Sequence, residues 1–174
     1  HTEWEARVFA LNVATGFLRR WNIDMGRYAR EQMPPAEYLA TTYYEHWLYG
    51  LGQLLVEQGL VTAEELETGR AAARAGETRI LTAAEVPAFL RNRRAARIVD
   101  VDVAPKFKAG EGIIARTINP TSHTRLPRYA RGKRGLIDRD HGVFIFADTH
   151  AVTRGPKPQH CYSVRFTAQE LWGP

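Results

Sequence analysis

Apolar side chains in the first hundred residues recur every three or four positions, the spacing that gathers them on one face of a helix. Trp4, Val8, Leu11, Phe17, Leu18 and Trp21 make one such stripe and predict a helix over about 4–21. Asp24 is placed to cap a short helix carrying Arg27, Tyr28 and Arg30. Pro34 and Pro35 end it, because proline has no amide to donate and restricts the residue before it. A longer helix is predicted from about Tyr38 to Gln58, through Tyr44, Trp47, Leu48, Leu51, Leu54 and Leu55, with Gly59 as its terminating residue. Thr62 with Glu65, and Thr82 with Glu85, have the spacing of capping boxes. They predict a charged surface helix over about Ala63–Ala75 and a short one ending near Asn92.

From about Val103 the period changes. Ile113-Ile114-Ala115 with Ile118, then Gly135-Leu136-Ile137, Val143-Phe144-Ile145-Phe146 and Tyr162-Ser163-Val164-Arg165-Phe166, are short β-branched or aromatic runs between Gly, Pro and Asn clusters. Three to five short strands are expected, enough for a small barrel of the SH3-like kind. The fold class is therefore α+β: an all-α domain over 1–104 followed by an SH3-like β-barrel domain over 105–174. A charged stretch ending in Ala104-Pro105 joins them.

Composition narrows the classes. A hydrophobic share of 44% with 25% charged residues belongs to a folding chain and excludes a disordered one. No apolar run approaches the roughly 20 residues of a membrane-spanning helix. The start, His1-Thr2-Glu3-Trp4-Glu5, is polar and not signal-like, and the single Cys161 leaves no internal disulfide, so the expected compartment is the cytoplasm. Charge divides unevenly. Residues 1–104 carry 12 Lys/Arg against 14 Asp/Glu, whereas 105–174 carry 12 against 5. A basic half suits nucleic acid or an acidic protein surface, and composition does not choose between them.

Candidate chemistry is sparse. None of the six histidines forms a helical i, i+4 pair, and zinc-type cysteine spacing is absent, so no metal is expected on this chain. Cys161 falls inside a strand run, where a packed, inert thiol is the usual outcome. Gly-x-Ser-x-Gly and phosphate-binding glycine loops are missing, so no self-contained enzyme is visible. Two dense patches remain. His123 to Lys133 sets Arg125, Arg128, Arg131 and Lys133 among small and aromatic residues. That segment suits a solvated loop, a phosphate-binding patch, or recognition of anionic groups on a protein partner. Tyr43-Tyr44-Glu45-His46-Trp47 fits helical core packing, or a pocket wall formed by Tyr43 and Trp47 four residues apart.

Taken in series, these residues resemble the β subunits of nitrile hydratases. In the helical half the resemblance runs through Glu3-Trp4-Glu5, Arg7-Val8-Phe9-Ala10-Leu11, Trp21-Asn22-Ile23-Asp24, Arg27, Arg30-Glu31, Tyr43 to Leu48, and Glu57 with Gly59-Leu60-Val61-Thr62. In the basic half it continues through Phe107-Lys108-Ala109-Gly110, His123 to Tyr129, Arg131-Gly132, His141-Gly142-Val143, Val164-Arg165-Phe166 and Glu170-Leu171-Trp172-Gly173. One chain spanning both halves is unlike the thiocyanate hydrolases, which divide the region between two chains. It is also unlike the cobalt metallochaperones, which share only the helical half.

The resemblance implies a lyase, hydrating a small nitrile to its amide as an αβ heterodimer or α2β2 assembly, with no activity expected of the isolated chain. It implies a Co(III) or Fe(III) centre on the partner α subunit, in a claw of cysteines of which two are oxidised, and no metal on this chain. Arg27 and Arg125 fall where the family's two β-chain arginines hydrogen-bond those oxidised sulfurs. Tyr43 falls where a tyrosine meets substrate or the attacking water, with His46 and Glu31 in the polar network behind it. Trp47 falls on the nitrile pocket, bordered by Ile23 and Gly26. The family also carries a glycine-rich leader before Glu3 and a strand after Gly173, so a barrel built from these residues alone is expected to have an open edge. An SH3-like basic nucleic-acid-binding module with a helical appendage is the rival; the resemblance implies neither a nucleic-acid nor a membrane partner.

Overall fold

Three threonines, each followed three residues later by a glutamate, set where helices begin. The backbone N–H of Thr2, Thr42 and Thr62 donates to the carboxylate of Glu5, Glu45 and Glu65 at 2.6, 2.6 and 2.8 Å. Each pair satisfies an amide that the first helical turn leaves without a partner. These bonds from Thr42 and Thr62 hold the Glu45 and Glu65 carboxyls below the usual range. A fourth pair, Thr82 with Glu85, forms the turn before a short helix.

The computed structural model describes residues 1–72, 79–92, 98, 100–152 and 155–174. The chain divides into two units, His1–Arg93 and Arg94–Pro174. The first is helical: α1 (Glu3–Gly16), α2 (Ile23–Glu31), α3 (Pro35–Ala40), α4 (Tyr43–Glu57), α5 (Ala63–Thr68) and α6 (Val86–Arg91). Its core gathers Val8 of α1, Ala29 of α2, Met33, and Tyr44, Leu51 and Leu54 of α4, all buried. Among the described residues no helix is long and apolar enough to cross a membrane.

Four local expectations shift. The first helix stops at Gly16, and the chain turns through Arg19 at φ 55° before reaching Trp21. Asn22, not Asp24, caps α2, its side-chain oxygen accepting from the amides of Asp24 and Met25 at 3.0 and 2.9 Å. The helix expected over 38–58 is two, because Thr41 is extended (φ −106°, ψ 159°) and Thr42 restarts the backbone with its own box. α5 ends at Thr68, where Gly69 takes the left-handed φ of 66° that glycine adopts without strain. The rest of the helix expected to Ala75 lies partly outside the described residues.

The second unit centres on three antiparallel strands in the order β1-β2-β3: β1 (Gly112–Ile114), β2 (Arg134–Phe144) and β3 (Gln159–Arg165). Short helices α7 (Ala147–His150) and α8 (Ala168–Trp172) follow β2 and β3. Among the described residues the sheet is three-stranded and open between β1 and β3, which agrees with the α+β class; by itself it does not make the SH3-like barrel expected from the runs. The apolar runs at 135–137 and 143–146, expected as separate strands, belong mostly to one long β2. The polar stretch between them pairs with β3 through two irregularities, between Ile137 and Arg139 and between Asp140 and Val143. Ile137 and Val143 are both buried. Gly135 sits where no side chain fits, since a Cβ there would lie 2.6 Å from Val164 Cγ1 and 2.9 Å from the Arg165 carbonyl oxygen.

Ile98, Val103, Lys106 and Phe107 hydrogen-bond to this sheet. The Ile98 amide donates to Val143 O at 2.8 Å, and the Lys106 amide to the Tyr162 hydroxyl at 2.8 Å. His160 on β3 bridges Asp140 (2.7 Å from Nδ1) and Val103 O (2.6 Å from Nε2). Both acceptors are satisfied only by the doubly protonated ring, since neutral imidazole has a single N–H. The bond to Asp140 raises the His160 pKa above its usual value and holds the Asp140 carboxyl below its own. The raised His160 contributes stability in full below about pH 6.5, lost as pH climbs through its folded value. The depressed Asp140 contributes above about pH 4, lost as pH falls through its folded value. His160→Gln is therefore expected to flatten the alkaline decline in unfolding midpoint measured from about pH 6 to 9. A variant whose profile parallels the wild type would contradict the bridge.

Candidate functional site

The α2–α4 pair is the most extensive helix contact of the first unit, and it carries most of the residues singled out from sequence. Gly50 permits the approach: a Cβ there would lie 2.7 Å from Arg30 Cγ and 3.0 Å from the Arg30 amide nitrogen. On α2, buried Asp24 accepts from Arg27 Nη1 at 2.8 Å. The Arg27 side chain is still 37% exposed, so the rest of its planar donor fork is open to an acceptor. Ile23 is 55% exposed beside it. Gly26 has nothing within 4 Å of where a Cβ would stand. Glu31 is exposed at the end of α2.

At the start of α4, Tyr43, Tyr44 and Trp47 cluster, with ring centroids 5.4 to 5.8 Å apart. Phe9 of α1 joins at 6.4 Å from Trp47. Tyr44 is the buried member, whereas Tyr43 is 63% exposed. This resolves the two uses of the Tyr43-to-Trp47 segment: one tyrosine packs, the other is available. Trp47 is half-buried, and its indole N–H has no hydrogen-bond partner among the described residues. Arg30 lies over the ring with its guanidinium carbon 3.8 Å from the centroid. Burial is the leading cause lowering the Arg30 pKa. His46 stacks on Tyr38 at 4.0 Å and bonds the Tyr38 carbonyl at 2.9 Å, with Nε2 donating. Its stacking and hydrogen-bond partner is thus Tyr38 of α3.

In the second unit the basic segment is a loop and 3-10 turn (Arg128–Ala130) leading into β2. Arg131 bonds Asn119 Oδ1 at 2.8 Å and Leu126 O at 3.2 Å, tying the loop across its base. Ala130 and His123 of the same segment are buried. Arg125, next to the tethered Leu126, is exposed and makes no hydrogen bond or ion pair among the described residues. The basic run therefore separates into a structural arginine, Arg131, and two exposed ones, Arg125 and Arg128.

Among the described residues, no group of three or more His, Cys, Asp and Glu side chains converges to hold a metal ion. Cys161 lies in β3, and burial pushes its thiol upward, so little thiolate is present at neutral pH. A shallow groove beside β1, lined by Ile114, Leu136 and Phe166, contains none of the residues singled out above.

Sequence reading missed Asp24 as the partner of Arg27, although their i, i+3 spacing on a helix is a recognisable ion-pair signal. It also missed what Arg30 does. No local pattern shows that an α2 cation covers an α4 indole, because the contact depends on how the helices pack.

Among the residues singled out from sequence, Ile23, Tyr43 and Arg125 are thus exposed and Arg27 is 37% exposed. Residues 1–97 match the family Nitrile hydratase beta subunit, N-terminal, and residues 94–174 match Nitrile hydratase beta subunit, C-terminal. The chain is 40% identical to a nitrile hydratase subunit beta of Pseudomonas putida, over 98% of this chain and 77% of that protein. It is 39% identical to a cobalt-containing nitrile hydratase subunit beta of Pseudonocardia thermophila, over 99% and 77%. Against a low-molecular weight cobalt-containing nitrile hydratase subunit beta of Rhodococcus rhodochrous the identity is 33%, over 99% and 80%. The chain belongs to the nitrile hydratase β-subunit family.

Proposed function

We propose that this chain is the β subunit of a nitrile-hydrating αβ complex whose cobalt or iron sits on the α subunit in a claw of partly oxidised cysteines. Its own donor set fits the anionic oxygens around such a centre rather than the metal itself. Three-ligand groups are absent among the described residues, whereas Arg27 is 37% exposed and Arg125 is exposed. When bound, the metal supplies Lewis-acid polarisation of the nitrile or of the attacking water.

The residues of this chain do the rest. Arg27 and Arg125 donate charge-assisted hydrogen bonds to the sulfur oxygens of the partner; the planar fork matches paired oxygens, which an ammonium does not. Asp24 fixes the Arg27 rotamer and leaves the remaining donors free to turn outward. Tyr43, an exposed residue at the first turn of α4, orients water or passes a proton at its phenolic oxygen. Trp47 and Ile23 form the apolar wall for the substrate's carbon chain. Glu31 and His46 support that wall from α2 and α4. The three-stranded sheet is read as the core of an SH3-like barrel that presents the Arg125 loop.

The observation that carries this reading is Arg125: an exposed, permanently charged group on a tethered loop, with no hydrogen-bond acceptor among the described residues. Co-expression with a nitrile hydratase α chain and cobalt tests it. The chains are expected to co-purify and to release amide from a small nitrile, while the isolated chain does neither that nor salt-dependent nucleic-acid binding. Failure to form the complex, or a complex without amide release, would refute it.

A further inference from the structure

The described surface leaves one unexplained device, the arginine lying on an aromatic residue of the proposed pocket. A buried indole is ordinarily oriented by a hydrogen bond from its N–H. Trp47 has none among the described residues. Its ring is instead held by Arg30 on one face at 3.8 Å and by the tilted rings of Tyr43, Tyr44 and Phe9 around it. Arg30 is itself fixed, because its Cγ and backbone fill the space that glycine leaves at position 50. A cation of this kind can swing away only by giving up both its packing and its ring contact.

The consequence concerns substrate shape. Aromatic substrates gain from lying offset against an indole face. Here that face is covered by a planar guanidinium, which the substrate would have to displace. An aliphatic nitrile needs only apolar contact along the ring edge. We propose that Arg30 sets the substrate class at this site: by covering and locking the Trp47 indole, it denies aryl nitriles a stacking surface and favours small aliphatic ones. This rests on the function proposed above and deepens it.

The test uses the αβ complex with Arg30→Ala and Arg30→Lys, measuring KM and kcat for propionitrile and benzonitrile. The wild type is expected to have the lower KM for propionitrile. Arg30→Ala should lower the benzonitrile-to-propionitrile KM ratio about 3–10-fold, the size of a lost cation–π contact, with the change falling in KM rather than kcat. Arg30→Lys, which keeps a cation over the ring, should restore most of the wild-type ratio. In parallel, complexes labelled with 5-fluorotryptophan report the ring directly, the Trp47 resonance being assigned with Trp47→Phe. It should move and broaden in Arg30→Ala and stay near its wild-type position in Arg30→Lys.

An Arg30→Ala ratio within about twofold of wild type would overturn the proposal. So would a Lys variant that behaves like Ala, which would assign the effect to lost packing, or a wild type that prefers benzonitrile. A wild-type complex active on neither nitrile would instead refute the functional reading, and an unmoved fluorine resonance would still overturn the Arg30 contact.

Discussion

Exchanging Arg125 for lysine is expected to lower turnover by the αβ complex about 10–100-fold while leaving its melting temperature nearly unchanged. Arg125 is exposed and makes no hydrogen bond or ion pair among the described residues, so folding loses little when it changes. What changes is geometry. A lysine keeps the charge but presents a compact ammonium where paired oxygens require a fork. Arg139→Lys is the control, since Arg139 is also an exposed arginine of the second unit but lies on β2, away from that loop. Steady-state rates and thermal melts of both variants decide the matter. Similar, negligible losses in the two would remove Arg125 from the proposed site.

The largest stability effect is expected in the helical core. Leu54 of α4 is 3% exposed, whereas Leu39 of α3 is 86% exposed. Leu54→Ala deletes buried methyl groups and leaves a cavity, at a cost of about 2–5 kcal/mol. That is a large fraction of the roughly 5–15 kcal/mol that holds an ordinary domain together. Leu39→Ala, on the surface, should cost less than about 0.5 kcal/mol. Denaturant midpoints of the isolated chain measure both. Because α4 carries Tyr43 and Trp47 at its other end, Leu54→Ala should also weaken turnover through the wall those rings form. Equal midpoints for the two variants would place the core elsewhere.

How much of this was legible in the sequence depended on whether the cause was local. Capping boxes are decided within four residues, and Thr62 with Glu65 and Thr82 with Glu85 pair as their spacing indicated. The same rule would have found Thr42 with Glu45. It was overlooked because the apolar stripe from Tyr38 to Leu55 continued through it. The α2 cap went to Asn22 because a side chain two or three residues before the first free amides reaches them, and Asp24 is engaged with Arg27. In the second unit the apolar pattern found the ends of β2 but read its middle, Asp138 to Gly142, as a break. Those polar side chains are mostly exposed, while the backbone still pairs with β3. Contacts between elements were the least legible. Arg30 on Trp47 and Arg131 across the base of its loop follow from packing, which a one-dimensional pattern does not contain.

The two irregularities in β2 have an arithmetic consequence. From Ile137 to Val143 the strand advances six residues while its partner runs only from Val164 to His160, so β2 holds two residues in excess of its neighbour. In a bulge two residues oppose one on the partner strand, so each irregularity absorbs its extra residue and leaves Val143 opposite His160 just as Ile137 lies opposite Val164. Both ends of the strand therefore bury their apolar residues despite the interruption between them. The spare length is stored in the bulges: removing one of the two extra residues should leave both buried positions paired as they are, whereas a slip of the whole strand by one residue would turn its apolar side chains to the other face.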